Sequence, residues 1–186
     1  GATITIASGQ TTGTATVAAP TDDAYIDAST VSQSIASVNG GTTFESLAFS
    51  TAAASTTVPD DIDVTTVSLS ATPTVTEGGS ITYTASLTNA ATNAVTVTLS
   101  GGATITIASG QTTGTATVAA PTDDPYLDAS SVSQSITAIS GGTTFESLAF
   151  STAAASTTVP DDFDVTTVSL SATPTVTEGG SITYTA

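Results

Sequence analysis

Aspartate and glutamate are the only side chains of this sequence that carry a charge near neutral pH. The 186-residue chain contains 16 of them and no Lys, Arg or His, which gives a formal net charge of -16. Because Cys is also absent, neither thiolate metal ligands nor a Ser-His-Asp triad can form. The remaining chemistry is that of hard carboxylate oxygens. These suit Ca²⁺, and they suit Mg²⁺ less well because it keeps its water and requires octahedral geometry.

The carboxylates stand in turns and at predicted strand ends, mostly in short acidic runs. Between residues 64 and 164 they are Glu77, Asp123, Asp124, Asp128, Glu146, Asp161, Asp162 and Asp164. Without Lys or Arg they have no salt-bridge partner, so we expect the Asp-rich runs to meet at one pole and bind Ca²⁺. The alternative is a solvated acidic surface. Glu146 stands alone beside Phe145 and Leu148, and either a ligand or a turn residue fits that position.

An internal repeat organises the chain. Residues 1–85 recur at 102–186; eight of the 85 aligned positions differ, which leaves 77 identities. The shift of 101 residues has the size of a domain rather than of a solenoid repeat. We predict that 64–164 is a complete repeat, that 1–63 is the C-terminal part of one repeat, and that 165–186 is the N-terminal part of the next.

Within the complete repeat, apolar residues alternate with Thr or Ser, which is typical of half-buried antiparallel strands. Gly pairs and an Asn-containing segment separate these stretches, as turns do. The predicted strands are 67–71, 81–87, 95–99, 103–107, 115–118, 132–139 and 155–159. About seven strands per repeat, without helical periodicity, predict an all-β fold of tandem immunoglobulin-like antiparallel β-sandwich domains.

Three motifs of the complete repeat resemble known calcium-binding domains. They are Val-x-Glu-Gly-Gly at 75–79, Asp-Asp-x-Tyr-x-Asp at 123–128 and Asp-Asp-x-Asp at 161–164. The arrangement is similar to Calx-beta domains and, more closely, to the extender repeats of giant bacterial RTX adhesins that act in biofilms and ice adhesion. The segments Ala-Thr-Ile-Thr-Ile-Ala-Ser-Gly-Gln-Thr and Val-Ala-Ala-Pro-Thr-Asp-Asp look like the same family. The likeness covers the whole chain.

The resemblance implies an extracellular array on a bacterial surface, exported by a type I system, in which Ca²⁺ at the junctions between adjacent repeats stiffens the chain. Such an array holds a distal adhesive domain away from the cell. By motif, the implied ligands are Glu77, Asp123, Asp124, Asp128, Asp161, Asp162 and Asp164, with Asp22, Asp23, Asp27, Asp60, Asp61, Asp63 and Glu178 as their counterparts in the other copies. Asp128 departs from the pattern, because Calx-beta domains usually carry Glu there.

Other functions are disfavoured by composition. Without basic residues the chain should repel nucleic acid and anionic membranes, and no apolar run approaches the ~18 residues of a membrane span. We expect no enzyme, because carboxylate pairs in glycosidases work in a substrate cleft and the aromatic platform residue Trp is absent.

Two alternatives keep the same fold. The Thr-x-Thr stretches, such as 104–106, could form an ice-binding face, although alternating Thr is common on any exposed strand; thermal hysteresis distinguishes the two. A self-assembling filament or surface layer built of the same calcium-binding sandwich is the second alternative. Electron microscopy of the secreted product would distinguish that assembly from a covalent string of repeats.

Overall fold

The computed structural model describes all 186 residues, which form strands and turns without a helix. The strands are β1 (Ser29–Gln33), β2 (Ala54–Val58), β3 (Val64–Ala71), β4 (Ser80–Leu87), β5 (Val95–Leu99), β6 (Thr104–Ile107), β7 (Thr113–Ala119), β8 (Ser130–Gln134), β9 (Ile136–Gly141), β10 (Ser147–Phe150), β11 (Ala155–Val159), β12 (Ser171–Ala172) and β13 (Tyr184–Thr185). No segment therefore forms a helix that could span a membrane.

The central segment is a β-sandwich. One sheet has the order β10-β3-β4-β7, the other has the order β6-β5-β9, and β8 pairs with β11 beside them. All strand pairings are antiparallel except that of β10 with β3. The predicted all-β sandwich is confirmed, with this one parallel pair as a correction to the antiparallel prediction.

The alternation of the sequence places the core between the sheets. In β4 every second side chain from Ile81 to Leu87 is buried, and the same holds for Val95 to Leu99 in β5. Tyr83 is fully buried in this core, and all 16 residues of the core cluster lie between Val67 and Val159. The hydrophobic effect therefore acts mainly on this segment.

The complete repeat has nine strands, β3 to β11, rather than about seven. The predicted strand 132–139 divides at Ser135 into β8, which pairs with β11, and β9, which pairs with β5. Ser135 donates its backbone N–H to Ser100 Oγ instead of to a ladder partner. The second additional strand, β10, was not predicted because 147–150 lacks the alternation of the other strands.

The flanking segments have little regular structure. Residues 1–63 contribute β1 and β2, which pair with each other, and residues 165–186 contribute the two-residue strands β12 and β13. Ile4 and Ile6, the counterparts of buried Ile105 and Ile107, are 58% and 57% exposed. The repeat boundaries after residues 63 and 164 stay a prediction.

Candidate metal centre

A tight turn after β3 positions Glu77. The N–H of Gly79 donates to the carbonyl of Thr76 at 3.1 Å, and the N–H of Gly78 donates to the carbonyl of Pro121 at 2.7 Å. Gly78 has φ +68°, a conformation that strains residues with a Cβ. The Glu-Gly-Gly sequence thus ties Glu77 to the chain immediately before Asp123.

Strand β11 brings the second acidic run to the same place. The segment that leads to Glu77 runs beside β11, since the N–H of Val75 donates to the carbonyl of Thr158 at 3.1 Å and the N–H of Thr158 donates to that of Pro73 at 3.0 Å. Asp161 follows shortly after β11 ends, and its Oδ1 accepts a hydrogen bond from the N–H of Asp128 at 3.4 Å. Three separate parts of the repeat therefore meet at one pole.

Five carboxylates form two groups that share Glu77. Oxygen atoms of Glu77, Asp123 and Asp162 lie within 4.8 Å of one another, and so do those of Glu77, Asp128 and Asp161. Glu77 is only 9% exposed, and both of its carboxylate oxygens are buried without a hydrogen-bond partner. A buried carboxylate that lacks a donor is costly unless a proton or a cation compensates it.

The pKa values reflect this crowding. Burial raises the pKa of Glu77 to about 7, together with a hydrogen bond that Glu77 and Asp128 can share only when one of them is protonated, and with repulsion from neighbouring Asp residues. A hydrogen bond with Asp162, together with burial and repulsion, raises the pKa of Asp123 to about 6. Two carboxyl groups can hydrogen-bond only when one is protonated. Neutralising Glu77 therefore requires a proton or a cation, and an all-oxygen donor set is of the kind that Ca²⁺ prefers.

Two residues of the ligand set predicted for the complete repeat, Asp124 and Asp164, lie outside these groups. Oδ1 of Asp124 accepts a hydrogen bond from the N–H of Tyr126 at 2.8 Å, so this side chain holds the turn. Asp164 belongs to neither three-carboxylate group, although its charge contributes to the raised pKa of Asp123. Their expected role as ligands stays a prediction.

The first copy forms an acidic cluster of different composition. A hydrogen bond with Asp61, repulsion from it, burial, and the charges of Asp63 and Glu146 raise the pKa of Asp22 to about 6. Asp27 donates its N–H to Asp60 Oδ2 at 3.3 Å, and burial and the charges of Asp23 and Asp60 raise its pKa. The predicted counterparts are thus close together in the first copy as well.

Glu146 joins this cluster from the following repeat. Its Oε2 accepts a hydrogen bond from the backbone N–H of Asp63 at 2.5 Å, while its Oε1 is buried without a partner. The Asp63 N–H lowers the pKa of Glu146, but burial and the carboxylates of Asp60 and Asp63 outweigh it and the pKa rises. Our predicted ligand set did not include Glu146. Its recurrence as Glu45 was the only sequence signal.

The first copy has a pocket among its acidic residues. Its lining includes Asp22, Asp27, Asp60 and Asp61, the counterparts of the acids around Glu77. Glu178, the counterpart of Glu77 in the third copy, is exposed and lies in neither three-carboxylate group. Residues 1–63 contain both Asp runs but no counterpart of Glu77, and residues 165–186 contain Glu178 but neither Asp run, so the three elements are present together only in the complete repeat.

These features define a tandem-repeat β-sandwich protein whose repeats carry an acidic pole. The family model "LapA domain" matches residues 1–61 and 63–162, and the chain belongs to this family. LapA is a large adhesin of biofilm, so this protein is related to biofilm adhesins. No curated protein matches the chain.

Proposed function

We propose that the chain belongs to an array of calcium-rigidified extender repeats in a large secreted RTX-type adhesin at the bacterial surface. In this role it holds a distal adhesive domain away from the cell and needs no catalysis. The observation that carries the proposal is the buried, unpartnered carboxylate of Glu77 among four Asp residues. With no basic residue in the chain, only protons or solvent cations can neutralise it.

The connection between repeats supports rigidity. β2 ends at Val58 and β3 begins at Val64, and the connecting residues include Pro59 but no Gly. Asp61 and Asp63 on this connection lie near Asp22 of their own repeat, and Asp63 also contacts Glu146 of the next repeat. A Ca²⁺ ion bound among them would join two repeats across a short linker, which would lose the bending freedom of a Gly-rich one.

Calcium would also stabilise the fold. A ligand that binds only the folded state stabilises it by about 2.7 kcal/mol at a hundredfold excess over Kd. It would in addition neutralise carboxylates whose mutual repulsion opposes folding. The net charge of -16 keeps neighbouring stalks apart and in solution.

Small-angle scattering on a chain of four repeats tests the spacer role. In millimolar Ca²⁺ we expect a rod whose maximum dimension grows linearly, by roughly 30 to 45 Å per repeat, as strands of this length predict. Replacing the Glu146 position by Gln in every repeat should restore flexibility while leaving the Glu77 site intact. Growth with the square root of repeat number in Ca²⁺ would show that the repeats are beads on a flexible string.

A further inference from the structure

Tyr25 of the first copy docks on the complete repeat. Its ring stacks on Phe145 with centroids 5.4 Å apart and an interplanar angle of 24°, and its hydroxyl donates to the carbonyl of Ala90 at 2.7 Å. On either side, the N–H of Ile26 donates to the carbonyl of Thr144 at 2.9 Å and the N–H of Glu146 donates to that of Ala24 at 3.3 Å. None of these contacts involves a carboxylate.

The receiving surface is built into the complete repeat. Gly142, at φ +61°, starts the turn that carries Phe145, and a Cβ there would lie 2.8 Å from Leu148 and 3.1 Å from Phe145. Asn93 Nδ2 donates to Thr143 Oγ1 at 3.0 Å and ties the loop after β4 to this turn. Phe145 belongs to the core cluster of the sandwich, and with Tyr25 stacked on it the side chain is 4% exposed. The cup formed by Phe145 and Ala90 is therefore part of the folded sandwich.

The second copy has the equivalent tyrosine, Tyr126, but no other repeat packs against it. Tyr126 donates its N–H to Asp124 at 2.8 Å, as Tyr25 does to Asp23. However, Tyr126 is 74% exposed and the following Leu127 is 90% exposed. Pro125 replaces Ala24, and it keeps the carbonyl that accepts in the first copy. The second loop is thus shaped for the same docking.

We propose that the tyrosine of each Asp-Asp-x-Tyr segment is a metal-independent clasp that docks in the Phe145 and Ala90 cup of the next repeat. Tyr126 accordingly docks in the equivalent cup of the repeat that follows it. This inference rests on the tandem array of the proposed function, but not on its calcium. The clasp sets how adjacent repeats meet before any ion binds.

Hydrogen exchange of the 186-residue chain in chelator tests the clasp. The amides of Ile26 and Glu146 should be protected, and Y25A should speed their exchange by roughly tenfold or more, because it removes the ring stack and the hydrogen bond together. Y25F keeps the ring and should speed it by roughly twofold to tenfold. Y126A is the matched control and should change nothing at these amides. Unchanged exchange in the β4 amides shows that each variant is folded.

Three outcomes would overturn the clasp: fast exchange of both amides in the wild-type chain under chelator, protection that survives Y25A, or protection that appears only with Ca²⁺. The last outcome would leave the calcium spacer standing. Conversely, if these amides are protected but the shape of the chain does not change with Ca²⁺, only the calcium-spacer proposal is refuted.

Extending the chain tests the partner of Tyr126. Residues 165–186 repeat 64–85, so appending the sequence of 86–164 after residue 186 completes one further repeat. In this longer chain the amide of Leu127 should become protected in chelator, and Y126A should now abolish that protection. If Leu127 exchanges as fast as in the 186-residue chain, the second clasp does not exist and the proposal fails as a property of the array.

Discussion

Calcium binding should expel protons from the carboxylates around Glu77, and the structure sets their number. Metal ligands must be deprotonated, so binding releases whatever protons the site holds. With the pKa of Glu77 at about 7 and that of Asp123 at about 6, the two are roughly nine-tenths and one-half protonated at pH 6. Binding at pH 6 should therefore release about one to one and a half protons from this repeat, and almost none at pH 8.

Isothermal titration with Ca²⁺ in two buffers of different ionisation enthalpy measures this release. At pH 6, E77Q should reduce the number of protons released by about one. E178Q changes the same motif outside both carboxylate groups and should leave the number of protons released unchanged. Should E77Q weaken binding too far for calorimetry, potentiometric titration without metal compares the same variants between pH 8 and 6. Equal release at both pH values, or equal titration of E77Q and wild type, would refute the assignment of the raised pKa to Glu77.

Two further predictions concern stability. Because the pKa of Glu77 is raised from 4.5 to about 7, the folded state binds a proton that the unfolded state has lost. In chelator, the stabilisation that this proton contributes should be complete below pH 4.5 and should be lost as the pH rises through 7. Melting curves at pH 5 and 7.5 check this, and a higher melting temperature at pH 7.5 would contradict it. I105A empties a fully buried position and should destabilise the complete repeat by about 2–5 kcal/mol, whereas I4A, at the exposed counterpart, should change the denaturation midpoint little; equal effects of the two would contradict the core described above.

The strands that the sequence predicted well are those with a local pattern. β4, β5 and β6 each bury alternate residues, and this pattern requires no knowledge of the rest of the chain. β10 differs, because all four of its residues are half-buried and its partner β3 is parallel and far away in sequence. The division at Ser135 depends on which sheet each half joins, and that also is decided by long-range pairing.

The candidate metal centre likewise combines features that the sequence predicted with features that it could not show. Acidic runs that end neighbouring strands were expected to meet, and Asp123, Asp128, Asp161 and Asp162 do meet around Glu77. The sequence could not show that Asp124 holds a turn, since carboxylates look alike whether they bind metal or a backbone N–H. The sequence left Glu146 open between a ligand and a turn residue for a different reason: its neighbours Asp60 and Asp63 belong to the preceding repeat.

One six-residue loop serves both sides of a junction, which explains why its acids and its tyrosine are adjacent. In the first copy Asp23 holds the N–H of Tyr25, so that the ring faces the next repeat. Asp22 and Asp27, at the two ends of the loop, instead approach the acids that follow β2. On our proposals, the tyrosine fixes how two repeats meet and the carboxylates, once they bind Ca²⁺, stiffen that arrangement. The loop can serve both roles because Asp23 holds the turn by accepting the N–H of Tyr25. A carboxylate inside the motif therefore need not be a metal ligand.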